Sequence, residues 1–294
     1  MQAQSPKIRA YQPADNSRLE DLISVLHTAD SSLQAADFVA INAEFRDHNP
    51  LTDRFVLTDT DGIIGYAWIA GDRSDRNDCW VCVAPQHRRG GYGTRLLETV
   101  MIRALKRGAT GVMAYLSGQP PALEFAGQAG FAVKGYACDL RLPANSSRVQ
   151  AALPSGWRLK PYSEASDAAR YADVLNASYA DLWGHGMATP ELVQTMLATP
   201  DPRDVFLVVD AAGVDVGCAG VTRGVAQSID APGLIAGYRS PEHYQSVLAS
   251  ALIRLEPDSD VLLHSWGDRE AVVMTYIALG FIETERTPMA WRAI

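Results

Sequence analysis

The strongest constraint on this chain is that it reads twice. Ile8-Arg9-Ala10-Tyr11, followed by Pro13, opens one pattern, and Trp157-Arg158-Leu159-Lys160-Pro161 opens a similar one. Asp61-Gly62-Ile63-Ile64-Gly65-Tyr66-Ala67 reads as a hairpin turn feeding a strand. Its counterpart is Ala212-Gly213-Val214-Asp215-Val216-Gly217-Cys218-Ala219. Ala129-Gly130-Phe131 and Leu279-Gly280-Phe281 stand near the two ends. The landmarks keep their order at offsets of about 150 residues, the signature of a duplicated and diverged unit. Between them, Pro143-Ala144-Asn145-Ser146-Ser147 and Pro154-Ser155-Gly156 have the small, polar, Pro-marked composition of a linker. The expected domains are residues 1–145 and 155–294.

Composition agrees with two globular halves. With 294 residues, 47% hydrophobic and 20% charged, either half can bury a core of its own. Lys plus Arg is 26 against 34 Asp plus Glu, a net charge of -8, the wrong sign for a protein built around nucleic-acid phosphates. No apolar run approaches the roughly 18–20 residues that cross a bilayer. The opening Met1-Gln2-Ala3-Gln4-Ser5-Pro6 lacks the apolar stretch of a signal peptide. Cys79, Cys82, Cys138 and Cys218 are too few for a disulfide scaffold. The expectation is a cytoplasmic protein without nucleic-acid or membrane partners, monomeric or homodimeric.

Apolar periodicity places elements. Leu19, Leu22, Ile23 and Leu26 make Asn16 to His27 an amphipathic helix. Phe55 to Thr58 and Ile63 to Ile69 read as antiparallel strands, and Cys79 to Val83 and Gly111 to Leu116 as further strands. Thr94 to Lys106 carries the strongest helical pattern, and Ala122 to Ala129 is a short helix. The fold class is α+β, a mixed central sheet flanked by helices in each half.

The segment richest in chemistry is Val83-Ala84-Pro85-Gln86-His87-Arg88-Arg89-Gly90-Gly91-Tyr92-Gly93-Thr94, between a strand and that helix. Gly90, Gly91 and Gly93 let the backbone turn sharply and approach a ligand. Their N–H groups and the first amides of the helix converge at the positive end of its dipole, and Arg88 and Arg89 add positive charge. Such a nest suits a diphosphate. It is not a nucleoside-triphosphate P-loop, because Gly93 is followed by Thr94 and Arg95 without a lysine. It is not a dinucleotide fingerprint either, because Leu96 replaces the third glycine and no acidic residue ends Gly111 to Leu116.

Arg88-x-x-Gly91-x-Gly93, preceded by Val83-x-Pro85 and followed by Leu96-Leu97, with Phe125 and Gly130-Phe131 downstream, resembles the acetyl-CoA loop of the GNAT superfamily of N-acetyltransferases. The resemblance spans residues 6–142. It implies that the amides from Arg88 to Thr94 hold the pyrophosphate, while Trp80 to Val83, including Val81 and Cys82, pair with the pantetheine arm. Amides near Val81 and Val83 would polarise the thioester carbonyl. It implies direct transfer of acetyl from acetyl-CoA to a primary amine of a small molecule or peptide, with no metal. Arg95, Arg103, Lys106 and Arg107 read as a solvated helix face, from which Arg95 could reach the ribose phosphate.

This chain also departs from the family. The position that often holds the tyrosine acid is Ala126, and the asparagine-like partner position is Gln119. Ser117 is the remaining candidate donor to the thiolate. No glutamate lies between Phe45 and Val83, so Asp78 is the candidate base. In the second half the tyrosine is present as Tyr276, which reads as a core aromatic. There, with Arg239 laid on Arg88, Glu242 and Tyr244 replace two glycines and Pro241 removes a donor. That half reads as a degenerate GNAT-like domain. Cys79-x-x-Cys82 lies on a strand, where residues three apart face opposite sides, which excludes a redox pair. Trp183-Gly184-His185-Gly186 reads as a structural turn, in a region that the resemblance implies can line the acceptor site. A non-catalytic acyl-CoA-binding sensor is the alternative to an enzyme.

Overall fold

A computed structural model of the chain describes residues 5–29, 49–60, 62–71, 77–149, 151–162, 167–181, 186–198, 203–224 and 226–294. Trp183, Gly184 and His185 lie outside the described residues.

The chain forms two compact units. The first is Met1–Lys134 together with Pro288–Ile294, and the second is Gly135–Thr287. In the first, strands β1 (Lys7–Ala10), β2 (Arg54–Thr58), β3 (Ile63–Ala70), β4 (Asn77–Val83) and β5 (Gly111–Tyr115) lie side by side in that order. The sheet is completed by the end of the last strand, β13 (Ile282–Ala293), whose Met289–Ala293 pair antiparallel with Tyr115–Gly111. All pairs are antiparallel except β4 with β5.

Strand alternation sends side chains to two helical layers. Helix α1 (Asn16–Ala29) presents Leu19, Leu22 and Leu26 to Val56, Tyr66, Trp68 and Cys82. On the opposite face, helix α2 (Tyr92–Lys106) presents Leu96, Val100 and Ala104 to Leu57, Ala67, Ile69, Cys79 and Val83. Cys79 and Cys82 therefore belong to different layers, both are buried, and burial pushes the Cys79 thiol up to about 12.

The second unit repeats the plan. Its strands are β6 (Ala132–Leu142, from Gly135 on), β7 (Arg158–Pro161), β8 (Arg203–Val209), β9 (Asp215–Thr222), β10 (Gln227–Asp230), β11 (Gly233–Leu234) and β12 (Val261–Trp266). Along β8, Val205, Leu207 and Val209 meet helix α4 (Ala168–Tyr179), whereas Phe206 turns to the opposite layer. That layer holds helices α6 (Pro241–Leu252) and α7 (Glu270–Ala278). Two further helices, α3 (Pro120–Gln128) and α5 (Pro190–Leu197), belong to the first and second unit respectively.

The compact units are not coextensive with the sequence repeats expected at 1–145 and 155–294. The last strand of each repeat completes the other repeat's sheet: Ala137–Leu142 of β6 pair with β12, and Met289–Ala293 of β13 pair with β5. Main-chain hydrogen bonds do not distinguish one strand of a duplicated pair from the other, so this exchange leaves each unit a complete sheet.

A second difference concerns α2. The expected solvated cationic face is not solvated at Arg103 and Arg107. Both guanidiniums bind the fully buried Asp53 carboxylate, Arg103 Nε at 2.6 Å and Arg107 at 2.8 Å. Arg107 also donates to Asn77 Oδ1 at 2.7 Å and to the Gly71 carbonyl at 2.7 Å. A buried carboxylate must be paired and hydrogen-bonded, and here it fastens the end of α2 to the starts of β2 and β4.

Candidate functional site

In the first unit, β4 and β5 begin parallel and then part. Asn77, Asp78 and Cys79 pair with Val112, Met113 and Ala114, and no pairing continues beyond, although β4 runs on to Val83. On its other side β4 stays paired with β3 from Asp78 to Val83. The Ala84 N–H donates to the Ile64 carbonyl at 2.9 Å. By antiparallel alternation Cys82, Trp80 and Asp78 then share their main-chain bonds with β3, and Val81 and Val83 turn theirs toward the opening. Cys82 thus does not present its main chain to the cleft, contrary to its grouping with Val81 and Val83.

Beyond Val83, a short 3-10 turn at Pro85–His87 leads into the glycine loop. The Arg88 amide donates to the Pro85 carbonyl at 3.2 Å, and the Arg88 Nε donates to the Val83 carbonyl at 3.1 Å. Arg88 therefore braces the loop with both groups, and its amide is not part of the anion-facing array. From Arg89 to Thr94 no amide has a hydrogen-bond acceptor among the described residues. Gly91 caps α2 in the left-handed region at φ 77°, and Arg89 shares that region at φ 66°. Left-handed residues in a turn that opens directly onto a helix aim successive N–H groups into one concavity. A Cβ on Gly91 would meet nothing within 4 Å, whereas one on Gly93 would lie 3.4 Å from the Phe125 ring. The glycines answer different needs: Gly91 a backbone angle, Gly93 room beside Phe125.

The charged neighbours are placed as follows. Arg89 is exposed and reaches Glu124 at 3.3 Å, a contact too solvated to hold it firmly. Arg95 donates to the Pro6 carbonyl at 3.1 Å and lies over the Tyr92 ring at 5.9 Å. Tyr92 is half-buried and Thr94 exposed at the helix start.

Asp78 is buried near the closed end of the cleft, in register with Ala70 on β3 and Met113 on β5. Ser117 is half-buried, just past the end of β5, and its carbonyl accepts from the Gln119 amide. Gln119 is exposed at the start of α3. Ser117 lies four residues beyond Met113, so it stands roughly 13 Å along the strand direction from the level of Asp78. The fold brings Ser117 level with the Val81–Val83 branch and does not bring it to Asp78.

In the second unit the equivalent cleft is closed. The Arg239 Nε donates to the Leu234 carbonyl at 2.7 Å, the same five-residue bond that Arg88 makes to Val83. This fixes the correspondence of the two loops. Yet α6 starts at Pro241, capped by the Ser240 side chain, which accepts the His243 amide at 3.2 Å. The Tyr244 amide donates to the Ser240 carbonyl at 3.1 Å, and the Tyr244 ring is buried. The amides that face outward in the first unit are thus consumed internally. Pro232 interrupts the strand between β10 and β11 at the position equivalent to Val81, removing its N–H. Arg239 and Arg269 close on the Asp181 carboxylate at 2.6 and 2.7 Å. Tyr276 is fully buried and its hydroxyl donates to Asp268 Oδ2 at 2.9 Å, a partner that no periodicity in the sequence signals.

No His, Cys, Asp and Glu cluster suited to a metal ion occurs among the described residues, and none of their helices is long and apolar enough to cross a membrane.

Comparison with known proteins accords with this geometry. Residues 52–133 match the family model of the acetyltransferase (GNAT) domain. No curated protein matches. Among solved structures, a GCN5-related N-acetyltransferase from Sphaerobacter thermophilus superposes with a TM-score of 0.73 at 17% identity, over 98% of this chain and 95% of that one. A tandem GNAT protein from the clavulanic acid biosynthesis pathway gives 0.61 at 16% identity, over 98% of both chains. A glucosamine N-acetyltransferase region of a fungal multi-domain β-N-acetylglucosaminidase gives 0.68 at 12% identity, over 99% of this chain and 38% of that one. The chain therefore carries a GNAT acetyltransferase domain at residues 52–133, within a fold that it shares along its length with a tandem GNAT protein.

Proposed function

We propose that the first unit uses acetyl-CoA to acetylate a primary amine. The observation that carries this reading is the parting of β4 from β5 beyond Cys79 and Ala114, opening onto an unsatisfied run of amides from Arg89 to Thr94. The site fits the coenzyme's chemistry. Gly90, Gly91, Tyr92, Gly93 and Thr94 would receive the pyrophosphate at a helix N-terminus, with Arg88 and Arg89 as local positive charge. Val81 and Val83 offer main-chain groups to an amide-bearing arm. The coenzyme supplies an activated acetyl thioester with a thiolate leaving group.

The chain's own residues then orient and deprotonate. The Val81 amide would polarise the thioester carbonyl, because a fixed donor in a narrow cleft needs no reorganisation as charge develops. Asp78 would accept a proton from the acceptor ammonium, through water given its burial near the closed end. Ser117 would donate toward the thiolate from the other branch. Much of the rate would come from holding the two reactants together. The acceptor is a small molecule or peptide amine, and the site is cytoplasmic and metal-free in this reading.

A second reading is favoured by one observation: the residue at the position where the GNAT resemblance implies a tyrosine acid is Ala126, buried on α3. In that reading the unit binds acyl-CoA without turnover. Incubation with acetyl-CoA and a panel of primary amines, following free thiol, separates the two. Acceptor-dependent thiol release is expected for the enzyme. Saturable binding with no release above the acceptor-free rate would establish the sensor instead.

A further inference from the structure

A cavity of about 400 Å³ lies in the first unit, between α1 and the turn that joins β2 to β3. It stands on the β3 side of β4, whereas the cleft between β4 and β5 opens on the other. Its wall on α1 is Arg18, Asp21, Leu22 and Val25, spaced as one helical face. Leu22, Ile63 and Ala84 bring apolar surface from the α1 core layer, and Val25, 44% exposed, extends it. The polar lining is of mixed sign. Asp59 is held by its own turn: its Oδ1 accepts the Gly62 amide at 3.1 Å, and its amide donates to the Gly62 carbonyl at 3.0 Å. The Asp59 side chain is only 12% exposed, with the His87 Nδ1 3.9 Å from Oδ2. The side chains of Arg18, Asp21 and Gln86 make no hydrogen bond or ion pair among the described residues. Apolar surface ringed by a few convergent polar groups is the form that small-molecule sites take, and this volume admits one small guest.

The lining selects among guests. An anion would face two carboxylates, and a simple ammonium would leave the Arg18 guanidinium without a counter-charge. A neutral apolar molecule would cover the charged groups without pairing them. We infer that the cavity is a binding site for a small zwitterion with an aliphatic side chain, a free α-amino acid. Its ammonium meets Asp59 and Asp21, its carboxylate meets Arg18, and its side chain lies against Leu22, Val25 and Ile63. Asp59 orients the guest, because its turn holds the carboxylate in place before anything binds. Arg18 and Asp21 are exposed, so each adds modest energy and the affinity is weak. Ala84 and Gln86 line the cavity and lead into Arg88, so the guest sits beside the glycine loop and outside the coenzyme cleft. This inference does not rest on acetyl transfer by the first unit and is tested without any acyl-CoA.

The test is titration of the full chain with L-leucine, read by calorimetry and by amide NMR shifts. Two truncated probes accompany it: 3-methylbutylamine, which lacks the carboxylate, and 4-methylpentanoate, which lacks the ammonium. Saturable binding of leucine is expected, with shifts at Thr60, Gly62 and Gln86. The amine should bind about threefold more weakly and the carboxylate at least about tenfold more weakly, since the latter loses both acidic partners and meets their repulsion. Arg18 is exposed, so Arg18→Gln keeps the fold. That variant should lower leucine to the affinity of the amine and leave the amine unchanged. The assignment is overturned by the absence of saturable leucine binding, by 4-methylpentanoate binding as well as leucine, or by wild-type leucine affinity in Arg18→Gln. Shifts confined to β5 and Val81–Val83 would place leucine in the other cleft and overturn it equally.

Discussion

At the scale of single residues, the difference between the two halves is a matter of where one backbone angle and a few amides lie. Gly91 at φ 77° starts α2 after the loop, leaving six amides from Arg89 to Thr94 without acceptors among the described residues. Gly91→Ala places a Cβ in open space, so its effect is the left-handed strain alone, about 1 kcal/mol. Gly91→Glu adds the same strain plus a carboxylate before the amides. Calorimetry with CoA should show a modest loss for alanine and a loss of at least about a hundredfold for glutamate. Equal affinities for the two variants would remove the amide cup as the anion site. Asp268 makes a pH prediction. Its folded-state pKa is raised, so the native protein holds that proton more tightly than the unfolded chain. Stability must then fall as pH rises from the ordinary carboxylate range through the folded value. Asp268→Asn removes this term, so its stability relative to wild type should increase across that window, as read by urea midpoints at several pH values. A pH-independent difference would contradict the assignment.

At the scale of elements, the notable feature is which strand completes which sheet. Gly111 of β5 sits under Trp291 of β13, where a Cβ would collide with the indole and with the Arg292 carbonyl. The glycine is there to let a strand from the far end of the chain approach. Truncation after Thr287 removes Met289–Ala293 and leaves the β5 edge without its antiparallel partner. Amide exchange at Gly111–Tyr115 should accelerate strongly, whereas β8 and β9 of the second unit should keep their protection. Unchanged protection in β5 would show that β13 is not its stabilising partner. The periodicity of α2 was legible because its apolar stripe meets a sheet directly. The pairing of Arg103 and Arg107 with Asp53 was not, because an arginine pattern on a helix looks the same in water as over a buried carboxylate.

For the whole molecule, duplication sets the architecture and divergence sets the number of sites. One loop keeps its amides free and the other spends them on Ser240, so calorimetry with CoA should give one site per chain. A stoichiometry of two would require the second loop to open its capped helix. The repeat order, the strand–glycine loop–helix segment and the loss of glycines at Glu242 and Tyr244 were all readable from residues. These depend on local rules: period, turn chemistry and whether a position tolerates a Cβ. The exchange of last strands and the partnership of Tyr276 with Asp268 were not readable, nor was the level difference between Asp78 and Ser117.

The sequence alone determined that two related α+β units exist and that one glycine loop can face an anion. It could do so because the apolar periods and turn residues act within a few positions of one another. Only the tertiary structure decided which strand closes each sheet, which amides remain open among the described residues and which buried carboxylate takes two arginines. Main-chain pairing is blind to side-chain identity, and the charge balance of a cleft is summed over residues far apart in the chain.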